Sequence, residues 1–486
     1  MQSSLQVSGI ALALLSAPLF AQENGPASTE IASCLAAPVL SQSDRSQFSK
    51  RVDAYVSNHM KSGGVPGMAV AVLKDGRVVH AKGYGLANLE HRVPVTTKTV
   101  FQSGSVGKAF TVMAVMMLVD DGKVRLDDPV AKWFPDAPEA WRPITVRHLL
   151  EHTSGLPGYP EDFDFRRDLT DAELYEIIKA QPLKFAAGDR RGYSNLGFVL
   201  LGILINKATG MHYGDFLQQR IFAPLDMSTA RVISEKDIVP HRASGYRLLD
   251  KEIANQEWVA PSLNTTADGA LYLSVEDMAK WEAALHCGEL LSSQRYDQMW
   301  DRLRTNDGVQ KPWGFSWQVA NVNGQRLVEH SGGWQGFTSN FSRYPAEGMA
   351  VILFKNLRAS DPLEPTRHIL EIYRPELSVA GARVIAEVEP SVAEFVRNFI
   401  QRINDKTLSS EMFVGDAGDD ILPYSQQASD EFRSFGSLRR VELVGREELI
   451  HGSRMVDYRL SFASRQVVLI LGLNPRNRIT SIDLRR

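Results

Sequence analysis

Four short stretches carry residues able to do covalent chemistry: "SGSVGKAFT" (103–111), "HLLEHTSGLPGY" (148–159), "GYSN" (192–195) and "VEHSGGW" (328–334). In the first, Ser105 and Lys108 stand three residues apart, which on a helix places them on one face about one turn apart. A serine hydroxyl attacks a carbonyl only when a neighbouring base takes its proton. A lysine whose charge is made costly by burial can help as the neutral amine. The plainer reading of the same residues is a helix-capping serine beside a surface lysine. A phosphate loop is excluded, because G-x-x-x-x-G-K-[ST] needs a glycine at 102 and a hydroxyl at 109, where the chain has Gln102 and Ala109. In the second stretch His148, Glu151 and His152 match the H-x-x-E-H of zinc hydrolases. A zinc site needs a further ligand that the sequence does not mark, so no metal is expected. No serine sits in G-x-S-x-G, so a nucleophile elbow is not expected either.

The elements that must hold these residues follow from hydrophobic pattern. After Lys108, "AFTVMAVMMLV" is apolar at every position but Thr111 and stops at Asp120-Asp121-Gly122. A helix apolar all round is a buried one, and its N-terminus offers N–H groups and a positive partial charge to a developing oxyanion. Tyr193-Ser194-Asn195 precede another apolar run, and His330-Ser331-Gly332-Gly333 lie on a strand whose small residues allow close backbone approach. A helix is expected from Asp44 to about Met60, then two strands around a Lys74-Asp75-Gly76 hairpin turn. Three strands are expected between 314 and 357, followed by the helical "PLEPTRHILEIY", and the stretch from about 105 to 290 reads as mostly helical. Helices and strands thus fall into blocks. That predicts an α+β fold, an antiparallel sheet flanked by helices with an inserted helical domain, and not a doubly wound parallel sheet. Beyond 380 the pattern restarts, with a helix behind Pro390 and four strand-like runs. Residues 43–376 and 380–486 are therefore expected to be separate domains, the second a helix on an antiparallel meander without a cluster that suggests chemistry.

At 486 residues, two domains are the natural expectation. A net charge of −3, with Lys and Arg scattered through the chain, gives no field for nucleic acid. The apolar run Ile10–Leu15, with small residues before Gln22, predicts a signal peptide over 1–21, an N-terminal extension over 22–42, and export to a periplasmic or secreted location. That run is too short to be a permanent membrane span. "IASC" at 31–34 resembles a lipoprotein box but follows polar residues instead of an apolar segment. The two cysteines, Cys34 and Cys287, read as unpaired thiols, the alternative in an exported protein being a bridge that ties the N-terminal extension to the main domain.

Three of the four stretches, in order, carry a resemblance. Ser105-Val106-Gly107-Lys108, Tyr193-Ser194-Asn195 and His330-Ser331-Gly332 resemble the S-x-x-K, Y-x-N and K-T-G motifs of the serine β-lactamase and penicillin-binding-protein superfamily. The closest branch looks like class C β-lactamases, D-alanyl-D-alanine carboxypeptidases, D-aminopeptidases and related esterases, over about residues 45–375. The resemblance implies that Ser105 is the acylated nucleophile, with Lys108 and Tyr193 together as its proton partners, Tyr193 acting as a base where neighbouring positive charge lowers its pKa. It implies that Asn195 positions the substrate and that the N–H groups of Ser105 and Gly333 form the oxyanion hole, with no cofactor required. His330 replaces a permanently charged lysine, so binding of a substrate carboxylate is expected to be weaker and pH-dependent. Ser331, Gly332 and Gly333 would lie along the substrate, and Tyr159 and Trp334 are expected to wall the cleft.

The expected function is hydrolysis of small amides or esters through an acyl-enzyme, on a D-amino-acid peptide, a β-lactam or a short-chain ester. The alternative is a non-catalytic binding or scaffold protein of the same fold, recognising peptidoglycan fragments or a protein partner. Neither the substrate nor the oligomeric state follows from the residues.

Overall fold

The computed structural model describes Cys34 and residues 41–234, 236–358, 362–414, 417–418, 421–423 and 425–485. The expected signal segment and all but Cys34, Ser41 and Gln42 of the extension lie outside the described residues. Seven helices matter here: α1 (Gln42–Gly63), α2 (Lys108–Asp120), α3 (Asn195–Thr209), α4 (Val275–Cys287), α5 (Leu363–Tyr373), α6 (Pro390–Asp405) and α7 (Ser425–Ser434).

After α1 the chain forms β1 (Gly67–Lys74), β2 (Arg77–Asn88) and the short β3 (Val93–Pro94). Asp75 and Gly76 join the first two at φ 50° and 70°, the paired left-handed turn whose twist matches a hairpin. Where three strands were expected before α5 there are four: β4 (Gln318–Val322), β5 (Gln325–Trp334), β6 (Phe337–Tyr344) and β7 (Met349–Lys355). The fourth arises because Asn323 and Gly324, at φ 51° and 82°, fold one long apolar stretch into a second tight hairpin. The seven strands make one antiparallel sheet in the order β3-β2-β1-β7-β6-β5-β4.

Strand β1 sits mid-sheet and is buried on both faces, which is why it reads as a continuous apolar run. Met68, Val70 and Val72 pack with Phe48, Val52 and Val56 of α1 and with Ile369 and Leu370 of α5. Ala69, Ala71 and Leu73 face the larger core, which contains α2, α3 and α4. Every residue of α2 from Lys108 to Val119 is buried. The stretch from 105 to 290 is less helical than expected: residues 231–232 and 271–273 join 101–102 in a small sheet, and 246–249 pairs with 252–255. These strands are too short to show a period of two.

Cys34 and Cys287 are joined by a disulfide, which corrects the expectation of two free thiols. The bridge fastens the N-terminal extension to the end of α4, across 253 residues of sequence. Closing a loop of that length restricts the unfolded chain, a contribution of about 5–6 kcal/mol in the chain-entropy model.

Beyond α5, β8 (Leu438–Glu448), β9 (Arg454–Phe462), β10 (Gln466–Leu473) and β11 (Ile479–Arg485) form an antiparallel meander. Its apolar face packs on α6 and α7 through Val396, Phe399, Phe432, Tyr458 and Leu469. Helix α7 was not foreseen, since only Ser429 and Phe432 of its ten residues are buried. This second unit leans on the first through Arg302–Glu447 (2.8 Å), Lys311 Nζ to the Thr480 carbonyl (2.8 Å) and Arg485 to the Leu377 carbonyl (2.8 Å). Among the described residues no helix is long and apolar enough to cross a membrane.

Candidate active site

Ser105 lies on a 3₁₀ turn, Gly104–Gly107, that runs straight into α2. The turn meets β5 backbone to backbone, and two glycines permit it. Gly104 has φ 52°, and a Cβ there would stand 2.6 Å from the Gly333 nitrogen; one on Gly332 would stand 2.2 Å from the Ser103 carbonyl oxygen. Strand β4 pairs with β5 only as far as Glu329, so the segment Ser331–Trp334 runs past the end of that ladder, beside Ser105.

Two groups flank the Ser105 hydroxyl. The Tyr193 hydroxyl lies 2.8 Å from Ser105 Oγ, and Lys108 Nζ lies 3.2 Å away. Lys108 is fully buried, while Tyr193 is 39% exposed at the mouth of the cleft. Lys108 Nζ also donates to Asn195 Oδ1 (2.8 Å) and to the Asp268 carbonyl. It stands 5.0 Å and 5.4 Å from the ring centroids of Tyr193 and Phe198, positions that favour a cation. The partners constrain the protons. Asp268 O is an acceptor only, and Asn195 Oδ1 accepts as placed, so two N–H bonds of Lys108 are committed. The third position, towards Ser105, accommodates either an N–H or a lone pair. Lys108 can therefore take the Ser105 proton without moving.

The other two motifs are joined by a line of hydrogen bonds through two residues outside them. The Ser194 backbone N–H donates to His152 Nδ1 (3.1 Å), and His152 Nε2 is 3.2 Å from Ser316 Oγ. Ser316 Oγ is 3.3 Å from His330 Nε2, and His330 Nδ1 is 2.5 Å from the Ser331 carbonyl oxygen. An N–H at one end and a C=O at the other fix every tautomer between them. His152 carries its proton on Nε2, Ser316 donates to His330 Nε2, and His330 carries its proton on Nδ1. Burial, Arg191 and the Lys108 charge hold His152 well below the usual histidine range. Burial, then Lys108, pushes His330 down to about 3. The expected pH-dependent carboxylate contact at His330 is thereby corrected: the ring is neutral across the working range and both its nitrogens are engaged. His152 and Ser316 sit at φ 58° and 60°, strained for residues with a side chain and retained where the surroundings over-determine them.

The remaining predicted residues fall around one cleft. A cavity of about 280 Å³ is lined by Ser105, Tyr159, Asn195, Gly333 and Trp334, and an adjoining one of about 310 Å³ by Ser105, Tyr193, His330, Ser331 and Gly333. Gly332 does not line either; it faces Ser103. Tyr159 donates to Asp268 Oδ2 (3.1 Å), and burial with the Asp268 charge keeps its phenol far above the usual tyrosine range. Trp334 Nε1 donates to Asn264 Oδ1 (3.1 Å), and Phe165 links Trp334 and Tyr159 at ring distances of 6.1 Å and 5.1 Å. Sequence reasoning missed Asp268, Phe165, Ser316 and Arg358. Arg358 is exposed and lines both cavities, its guanidinium lying against Gly333. The His148 of the H-x-x-E-H match accepts from the Thr145 N–H as part of a helix cap (3.1 Å), while His152 belongs to the line above.

The Beta-lactamase family model matches residues 52–373. Penicillin-binding protein 4* of Bacillus subtilis is 28% identical over 59% of this chain and 67% of its own length. A D-aminopeptidase of Gluconobacter oxydans is 30% identical over 64% of this chain and 59% of its own. The chain thus spans about three-fifths to two-thirds of the length of the curated relatives it matches. The crystal structure of D-amino acid amidase from Ochrobactrum anthropi is 28% identical, with a TM-score of 0.59, over 69% of this chain and all of that one. The chain belongs to the Beta-lactamase family, whose penicillin-binding-protein and D-amino-acid-directed members it resembles.

Proposed function

We propose that this chain is a serine hydrolase that transfers the acyl group of a small amide or ester to Ser105 and then to water, with D-amino-acid amides and short peptides as the preferred class. The observation that carries the reading is the Ser105 hydroxyl held between Lys108 Nζ and Tyr193 OH, at 3.2 Å and 2.8 Å, beside the backbone of Gly333. In the first half-reaction Ser105 Oγ forms a bond to the substrate carbonyl carbon while its proton passes to the Lys108–Tyr193 pair. The N–H groups of Ser105 and Gly333 take the developing oxyanion. The same pair returns the proton to the leaving amine or alcohol as its bond to the carbonyl carbon breaks. In the second half-reaction it takes one from the attacking water and gives it to Ser105 Oγ as the acyl–oxygen bond breaks.

The D-amino-acid preference is supported by the kinship with a D-aminopeptidase and a D-amino acid amidase. With His330 neutral, the cation available to a substrate carboxylate at the cleft wall is Arg358. The Cys34–Cys287 bridge supports export, since disulfides persist in oxidising compartments.

The test is hydrolysis of D-alanine p-nitroanilide and p-nitrophenyl acetate by wild type and Ser105→Ala, with and without EDTA, together with mass mapping after brief exposure to a penicillin. A loss of at least about a thousandfold in Ser105→Ala, insensitivity to EDTA, and any adduct confined to Ser105 are expected. Turnover that survives Ser105→Ala would overturn the reading. Absence of turnover in wild type with tight ligand binding would favour a non-catalytic scaffold.

A further inference from the structure

Between the two units lies a cavity of about 250 Å³ that the chemistry above does not use. Met455, Ile470 and Ile482 of the second unit give it an apolar side, and Trp313 of the first closes it opposite. Among these residues stands Asp457, on β9, only 7% exposed. Among the described residues its carboxylate takes no hydrogen bond and forms no ion pair. The guanidinium groups near it are engaged elsewhere: Arg302 with Glu447 (2.8 Å) and the Val319 carbonyl (3.1 Å), and Arg485 with the Leu377 carbonyl (2.8 Å). A second acceptor, Asn321 Oδ1, is buried without a partner on a residue lining the same cavity. An ionised carboxylate in such a place is costly unless paired. Burial, with Glu447 and Asp483 adding to it against Arg485 and Arg302, raises Asp457 to about 7.

We propose that this cavity is a second binding site, for a primary ammonium group carried on an apolar or aromatic body, with Asp457 as its counter-charge. Arg191, Arg302 and Lys311 also line the cavity. Asp457 and Asn321 Oδ1 are acceptors there without donors among the described residues, and they call for a ligand rich in N–H, of which an ammonium brings three. Trp313 gives the cavity an aromatic wall, against which the Arg191 guanidinium already lies 3.4 Å from the ring centroid. Trp313 and Gln318 also line the cavity that contains Ser105, so the two sites stand back to back across one layer of side chains. The ammonium can come from the far end of a substrate or from a separate molecule.

The test is calorimetric titration of the full chain with 2-phenylethylamine and with its uncharged isostere 2-phenylethanol. One-to-one saturable binding of the amine is expected, at least tenfold tighter than the alcohol, at least tenfold weaker in Asp457→Asn, and unchanged in Ser105→Ala. The alcohol control is read on wild type and so does not depend on how any variant folds. Equal binding of amine and alcohol, no saturation, or binding lost in Ser105→Ala would overturn the site. The two sources separate in an ester assay. A substrate tail predicts competition by the amine against an amine-tailed p-nitrophenyl ester but not against p-nitrophenyl acetate; a separate molecule predicts competition against neither.

Discussion

Lys108 and Asp457 are both ionisable groups taken almost wholly out of water, at 0% and 7% exposed, and the molecule treats them in opposite ways. Lys108 has three acceptors within reach of three N–H bonds, two of them supplied by residues 87 and 160 positions away in sequence. Asp457 has none. His330 is a third case, buried like the others but relieved by giving up its charge. The contrast separates two kinds of buried charge. One whose partners are all internal is a finished part of the apparatus. One without partners, at the wall of a cavity, is half of an interaction.

The largest effect should come from breaking the finished case. Lys108→Met removes the amine beside Ser105 and strands the Asn195 and Asp268 acceptors. Single-turnover acylation should fall by at least about a thousandfold, and urea unfolding should show a loss of about 1–3 kcal/mol. Lys108→Arg should not restore the rate, because a guanidinium does not give up its proton.

The unfinished case is sharpened by pH. The Asp457 carboxyl titrates near 7 when folded and near 3.8 when unfolded. Between those values the folded state holds the extra proton, so stability is expected to fall as pH rises from about 4 to 7 and then to level off. The drop attributable to this residue is up to about 4 kcal/mol. Unfolding curves at pH 4.5 and 7.5 should show it in wild type and lose it in Asp457→Asn.

Smaller still is the change at Ser316. Ser316→Ala leaves the facing nitrogens of His152 and His330 unpartnered, and kcat/KM should drop by about tenfold, with about 1–3 kcal/mol of stability. The smallest effect concerns the neutralised case. Because His330 is already neutral, the pH profile of kcat/KM for His330→Gln should keep the wild-type shape between pH 5 and 8, whatever its height.

Much of the cleft was legible before any coordinates. The all-apolar α2 declared its burial, the Asp75-Gly76 turn its hairpin, and three short motifs the side chains now grouped around Ser105. What was hidden shares a physical character. Asp268 contributes its backbone carbonyl to Lys108, and a carbonyl has no letter in the sequence. Ser316 and His152 meet across 164 residues, through left-handed backbone conformations that no local pattern announces. The disulfide depends on where the N-terminal extension returns, and α7 has too few apolar residues to show a helical period.

The line from Ser194 to Ser331 has a direction. Its first donor and its last acceptor are backbone groups that cannot exchange roles, so every hydrogen in it points from the Tyr-Ser-Asn loop to the His-Ser-Gly strand. A proton added to His152 would set two donors face to face at Ser194, whereas one added to His330 would have to be met by the second lone pair of the Ser316 hydroxyl. The arrangement therefore works as an assembly check. The line is complete only when the loop motif is seated and His152 is neutral, so a half-built cleft leaves buried groups unpaired that a complete one does not.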